Sequence, residues 1–148
     1  RKLCKGAIFL INDRVDIALG VGADGVHLGS RDLPYRLARK LLGEKRIIGL
    51  TVHSLKEARE AQELGADYLG VSSVFSTGTK PDAGEPVGCD LIRKIKESIR
   101  IPLVAIGGIS LKNAGEVIRS GADSLCAISA VVTKADVRKE IERFQDLF

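Results

Sequence analysis

Apolar positions along this chain follow two rhythms that take turns. Six short runs are almost continuously apolar: AIFLI at 7–11, GVHL at 25–28, RIIGLT at 46–51, DYLGVS at 67–72, PLVAI at 102–106 and SLCAIS at 124–129. Between them, apolar residues recur three and four apart, as in Leu55, Ala58, Ala61 and Leu64. The first rhythm predicts short strands buried on both faces, and the second predicts amphipathic helices. The helices are predicted over 14–21, 33–42, 54–64, 89–98, 110–120 and 135–147. Strand and helix alternate six times, so the expected class is α/β with a parallel sheet and right-handed crossovers.

A repeat sharpens this. The triplet Gly-Ala-Asp recurs at 22–24, 65–67 and 121–123, each time between a helical stretch and a strand. SLKEAREAQELGADYLGVS and SLKNAGEVIRSGADSLCAIS share one layout. A serine (Ser54, Ser110) stands where an N-cap is needed, and a glycine (Gly65, Gly121) where the helix end calls for a left-handed residue. Units of about 25 residues fit a TIM (β/α)8 barrel better than a dinucleotide-binding sheet, since no Gly-x-Gly-x-x-Gly follows any predicted strand. A closed barrel of this class has eight strands and roughly 200–250 residues. The 148 residues supply about six of the eight βα units. An open six-stranded sheet would expose two apolar edges, which natural sheets avoid. The expectation is a single partial barrel domain over 1–148, with two units lying upstream of Arg1.

Composition narrows the function. Hydrophobic residues make up 45% of the chain, enough for a core and too many for a disordered segment. No run of 18 apolar residues predicts a membrane span, and no charged-then-apolar leader opens the chain. Cys4, Cys89 and Cys126 match neither a metal pattern nor a disulfide framework, so reduced thiols and a cytoplasmic location are expected. The net charge of +4 comes from mixed signs, with 23 basic and 19 acidic residues. With 4% aromatics there are few platforms for stacking bases, which argues against nucleic acid. A modest positive bias suits small anionic substrates. Homo-oligomerisation is left open.

In a parallel barrel the chemistry gathers at the C-terminal ends of the strands. The segments that follow the predicted strands are Asn12-Asp13-Arg14, Gly29-Ser30-Arg31-Asp32, Thr51 with His53, Thr77-Gly78-Thr79-Lys80, Gly107-Gly108, and Ile128-Ser129-Ala130. Gly107-Gly108 and Ile128-Ser129 follow the last two strands, where barrels often hold phosphate against backbone N–H groups. The alternative is that the two glycines only turn the chain into the next helix. Asp13 and Asp32 follow neighbouring strands, which lie about 5 Å apart. Two such carboxylates suit Mg2+, which takes few protein ligands and keeps positions for phosphate oxygens. Each has a second reading: Asp32-Leu33-Pro34 is also an N-cap pattern, and Asp13 has Arg14 or a nearby lysine as an ion-pair partner. The stretch SVFSTGTKPD, residues 73–82, opens a long polar loop after a buried strand. Its Thr77, Gly78, Thr79 and Lys80 fit an anion clamp, with a plain surface loop as the alternative. His27 reads as an interior strand residue and His53 as a residue that opens a helix. Cys89 and Cys126 read as small packing residues.

Taken together, INDRVDIALGVGADGVHLG followed by Asp32, then SVFSTGTKPD, VAIGGIS and AISAV, in this order and spacing, resemble the thiamine-phosphate synthase family from about residue 8 to residue 132. The resemblance implies a Mg2+-dependent transferase. An aminopyrimidine methyl diphosphate joins a thiazole phosphate, giving thiamine phosphate and pyrophosphate. It also implies that Asn12 contacts the pyrimidine diphosphate and that Asp13 and Asp32 hold Mg2+. Lys80 would bind the departing pyrophosphate, and Thr77, Gly78, Thr79, Gly108, Ile128 and Ser129 would receive the thiazole phosphate. Lys80 and Thr51 are the catalytic candidates; Thr51 stands where the family usually has a serine that touches the substrate. The implied chemistry ionises a C–O bond, after which the thiazole nitrogen captures the pyrimidine cation. Such a step calls for charge stabilisation and excluded water rather than an acid–base pair.

The chain departs from the family pattern in two further places. Ser73 and Ser76 replace a glycine-proline or proline pattern, so a more mobile loop is expected. The upstream Gln-x-Arg-x-Lys segment that also binds the diphosphate has no counterpart. Two rival readings follow. The tautomerase branch of the superfamily, an isomerase, relies on a histidine ahead of the threonines, where this chain has Ser72-Ser73-Val74-Phe75. The other rival is a barrel that binds a phosphate ligand without catalysis.

Overall fold

The structure, a computed structural model, describes residues 6–79 and 84–148. Six strands, β1 (Leu10–Asn12), β2 (Gly25–Leu28), β3 (Ile47–Val52), β4 (Tyr68–Val71), β5 (Leu103–Ile106) and β6 (Ser124–Cys126), pair in sequence order, all parallel. Five helices fill the crossovers: α1 (Val15–Val21), α2 (Tyr35–Leu42), α3 (Leu55–Leu64), α4 (Gly88–Ser98) and α5 (Ala114–Arg119). After β6 come α6 (Ser129–Val132) and α7 (Val137–Gln145). The sheet curls into a half-barrel.

Register decides which side chains face the hollow. Asn12 is level with His27, His27 with Gly49, and Gly49 with Tyr68. One step up, Thr51 is level with Gly70, Gly70 with Val104, and Val104 with Ser124. The intervening residues Val26, Leu28, Ile48, Val52, Leu69, Val71, Leu103 and Ala105 are fully buried against the helices. At ~1.5–3 kcal/mol per fully buried aliphatic side chain, this outer layer is the main source of cohesion. The inner layer is different: His27, Thr51, Tyr68, Val104, Ile106 and Cys126 are half-buried. The expectation of strands buried on both faces is thus corrected. The continuous runs conceal a period of two, aliphatic towards the helices and, towards the hollow, a mixture of polar and small residues with Tyr68, Val104 and Ile106.

The Gly-Ala-Asp repeat is one structural device used three times. Gly22, Gly65 and Gly121 have φ of 62°, 92° and 101° and end their helices or the turns that follow them. The alanines, Ala23, Ala66 and Ala122, are buried, and their N–H groups reach back to Ala18, Ala61 and Val117. Each aspartate then ties two strand starts together. Asp24, Asp67 and Asp123 donate their N–H to the carbonyls of Phe9, Ile48 and Leu103. Their carboxylates accept the N–H of those same three residues at 2.9, 2.7 and 2.8 Å.

Several predicted boundaries move. Ser54 caps α3 as expected, its hydroxyl accepting the Glu57 N–H. Ser110 does not cap α5: the chain makes a further turn and the helix starts at Ala114, after Asn113. Asn113 closes that turn by accepting the Ser110 N–H and donating to the Gly108 carbonyl. The sixth strand stops at Cys126, three residues short of its predicted end, and Ser129 opens α6 instead.

Candidate active site

The C-terminal strand ends surround a cleft of about 660 Å³. Asn12 and Asp13 enter from the end of β1, Asp32 from the loop after β2, and Thr51 from β3. Thr77 and Thr79 enter from the loop after β4, Gly108 from the turn after β5, and Ile128 and Ser129 from the start of α6. Gly78 lies in the same loop but outside the lining, and Lys80 lies outside the described residues.

At the β1 end, Asp13 has a left-handed backbone, φ 65°, fixed by its N–H donating to the His27 carbonyl at 2.8 Å. Such φ is uncommon for a residue with a side chain, though aspartate and asparagine tolerate it better than most. The ion-pair reading with Arg14 is corrected: that guanidinium is bidentate on Asp16, whose carboxyl it pulls down to about 2. Asp32 is not a helix cap either, because Pro34 occupies that position. Its Oδ2 instead accepts the Gly29 N–H at 2.6 Å, folding the loop so that the carboxylate faces the cleft.

The loop after β4 is anchored at its base. Val74 N–H donates to Ile106, Phe75 N–H to Gly107, Val87 N–H to the Ser73 carbonyl and Gly88 N–H to the Val74 carbonyl. Ser73 and Val74 are buried. The expected mobility therefore does not extend to Ser73. Gly107 and Gly108 have φ of 99° and 64°. A Cβ on Gly107 would lie 2.7 Å from the Ser73 side chain, and one on Gly108 2.7 Å from Phe75 Cβ. The glycine pair thus seats the threonine loop as well as turning the chain. Beyond it, Thr79 N–H bonds to Thr77 Oγ1 at 3.2 Å.

On the floor, His27 sits between Tyr68 and Thr51: Nδ1 is 2.9 Å from the Tyr68 hydroxyl and Nε2 is 2.8 Å from Thr51 Oγ1. Sequence reasoning read His27 as an interior strand histidine, which its two bonds agree with, but gave neither it nor Tyr68 a role at the cleft. The available signal was the pair of mid-strand glycines, which mark close approach. A Cβ on Gly49 would fall 2.1 Å from Tyr68 Cζ, and one on Gly70 2.9 Å from His27 Cε1. Arg31 also lines the cleft and received no role from sequence. His53 has its N–H bound by Glu57 at 2.8 Å, as a helix-start residue should. Burial pushes the Cys89 and Cys126 thiols up, away from reactive thiolates.

Among the described residues no group of three or more His, Cys, Asp or Glu side chains is placed to hold an ion. Two carboxylates on one cleft suit a hard ion that keeps water and phosphate oxygens in its shell, and do not suit zinc.

Comparison with known proteins gives a consistent picture. The family model described as thiamine monophosphate synthase matches residues 1–131. The thiamine-phosphate synthase of Methanosarcina barkeri is 55% identical over 148 residues, covering 99% of this chain and 67% of that protein. Its Methanosarcina mazei counterpart is 56% identical, covering 99% of this chain and 62% of that protein. The solved thiamine phosphate pyrophosphorylase of Pyrococcus furiosus superposes with a TM-score of 0.87 at 49% identity, over 95% of this chain and 67% of that one.

Proposed function

Since this chain belongs to the thiamine monophosphate synthase family, we propose that its cleft joins a pyrimidine methyl diphosphate to a thiazole phosphate, releasing pyrophosphate. One observation carries the reading: oxygen and amide groups from six successive strand ends line one cleft of about 660 Å³. Such a site is built to hold two anionic partners side by side, and holding them is most of what this reaction needs.

The roles are those that the family resemblance implies for these positions. Asn12 and Thr51 orient the pyrimidine diphosphate. Thr77, Thr79 and Ser129, with the backbone at Gly78 and Gly108 and the Ile128 wall, take the thiazole phosphate. Lys80, next along the chain from Thr79, is assigned to the departing pyrophosphate. Asp13 and Asp32 would hold Mg2+, with Asp32 oriented by the Gly29 N–H. When bound, the ion neutralises charge that develops on the diphosphate oxygens. Ile106, Ile109 and Ile128 line the same cleft and keep water from the reacting carbon.

The test is pyrophosphate release from both substrates in the presence of Mg2+. Release that needs both substrates and the ion supports the transferase. Saturable thiazole-phosphate binding without turnover supports a binding protein instead. Asp13→Asn is expected to weaken the metal dependence and slow turnover by about two orders of magnitude. Unchanged turnover would remove Asp13 as a ligand.

A further inference from the structure

Building on that reading, we propose that His27 is a positioning residue: held by Tyr68, its imidazole donates to Thr51 Oγ1 and turns the Thr51 hydroxyl proton towards the ligand. The two bonds are 2.9 Å from Nδ1 to the Tyr68 hydroxyl and 2.8 Å from Nε2 to Thr51 Oγ1. A neutral imidazole has one N–H and one acceptor nitrogen, so both bonds must run in the same direction. If Thr51 gave its proton to Nε2, then Nδ1–H would meet the Tyr68 oxygen and the phenol proton would need another acceptor. Among the described residues the Tyr68 hydroxyl bonds to His27 alone. The phenol keeps its proton, since burial first and the Cys126 thiol second raise its pKa to about 12. In the opposite direction, Tyr68 O–H donates to Nδ1 and Nε2–H to Oγ1. That order gives the phenol proton an acceptor and leaves the Thr51 O–H for an acceptor in the cleft, which Thr51 lines.

The surroundings hold this ring in place. His27 and Tyr68 lie with centroids 5.4 Å apart and planes tilted by 30°. Gly70 leaves space for His27 Cε1, and Gly49 leaves space for the Tyr68 ring. Packing alone asks only that the ring nitrogens find partners; here one of the two partners, Thr51, lines the cleft.

The test is a double-mutant cycle in the protein carrying this chain. His27→Phe is expected to lower kcat/KM for the pyrimidine diphosphate about tenfold, while the KM for the thiazole phosphate moves less than about twofold. In a Thr51→Val background the same change should cost less than about twofold, because the group it positions is gone. His27→Gln, whose amide N–H can reach Oγ1, should recover activity to within about threefold of wild type. Equal losses from His27→Phe in both backgrounds would overturn the proposal. So would failure of His27→Gln to recover in a protein whose melting matches wild type. A second readout needs no activity: imidazole nitrogen NMR of the wild-type protein should show His27 as the Nε2–H tautomer. An Nδ1–H tautomer or an imidazolium at neutral pH would overturn the assignment. If wild type releases no pyrophosphate, the transferase reading falls, while the spectrum still decides the direction of the bonds.

Discussion

At Gly108 a single missing methyl group links folding to the cleft. Its φ of 64° is left-handed, and the space a Cβ would need is taken by Phe75 Cβ at 2.7 Å and the Ser76 carbonyl at 2.6 Å. Gly108→Ala should therefore cost about 2 kcal/mol or more, combining left-handed strain with overpacking. Because Phe75 and Ser76 lead into Thr77, the same change should raise the KM for the thiazole phosphate more than that for the pyrimidine diphosphate. Denaturant melts and paired KM values check both parts; a stable variant with unchanged KM values would show that the glycine is dispensable. That Asn12, Asp32 and Thr51 line the cleft could be read from the sequence because the apolar pattern marks roughly where the first three strands end. His27 and Tyr68 could not be assigned this way. Their role depends on rings reaching across neighbouring strands, and nothing in a one-dimensional pattern records how far a ring reaches.

Elements here are locked by repetition. In each Gly-Ala-Asp unit the glycine ends a helix or the turn after it, the alanine fills a buried notch, and the aspartate joins its own strand to the one before. Asp123 also takes the Lys96 ammonium, and Asp67 likewise accepts both the buried Ile48 N–H and the Arg39 guanidinium. Asp67→Ala leaves that N–H without an acceptor and should cost roughly 1–3 kcal/mol. Asp67→Asn keeps an oxygen and should lose less, because half-exposed ion pairs contribute little. Equal melting of the two variants and wild type would refute the strand-tie role. The repeat itself was visible in sequence because it is composition at a fixed spacing; what it ties was not. The end of β6 was misplaced for a related reason. The run SLCAISAVV is broken after its first residue only by Ser129, and α6 has only four residues, too few to show a helical period.

Across the whole molecule, the sheet runs from β1 to β6, and among the described residues neither outer edge has a strand partner. Apolar side chains lie exposed near both edges: Ile8 at 67% ahead of β1, and Val132 at 60% after β6. The inner layer that holds His27, Thr51 and Tyr68 is only half-buried. This chain spans 62–67% of the Methanosarcina relatives it matches. These observations meet in one prediction about closure. Two further parallel strands, supplied by a βαβα segment placed ahead of Arg1, would pair with β1 on one side and β6 on the other and complete an eight-stranded barrel. Covering both edges and the hollow buries apolar surface, so the extended protein should melt several degrees higher than this chain alone. It should also release pyrophosphate at least about tenfold faster, because a closed wall holds both substrates and excludes water. Side-by-side melting curves and pyrophosphate assays check this. Identical midpoints and rates would mean that the six-stranded sheet is self-sufficient, with the exposed edges costing it nothing.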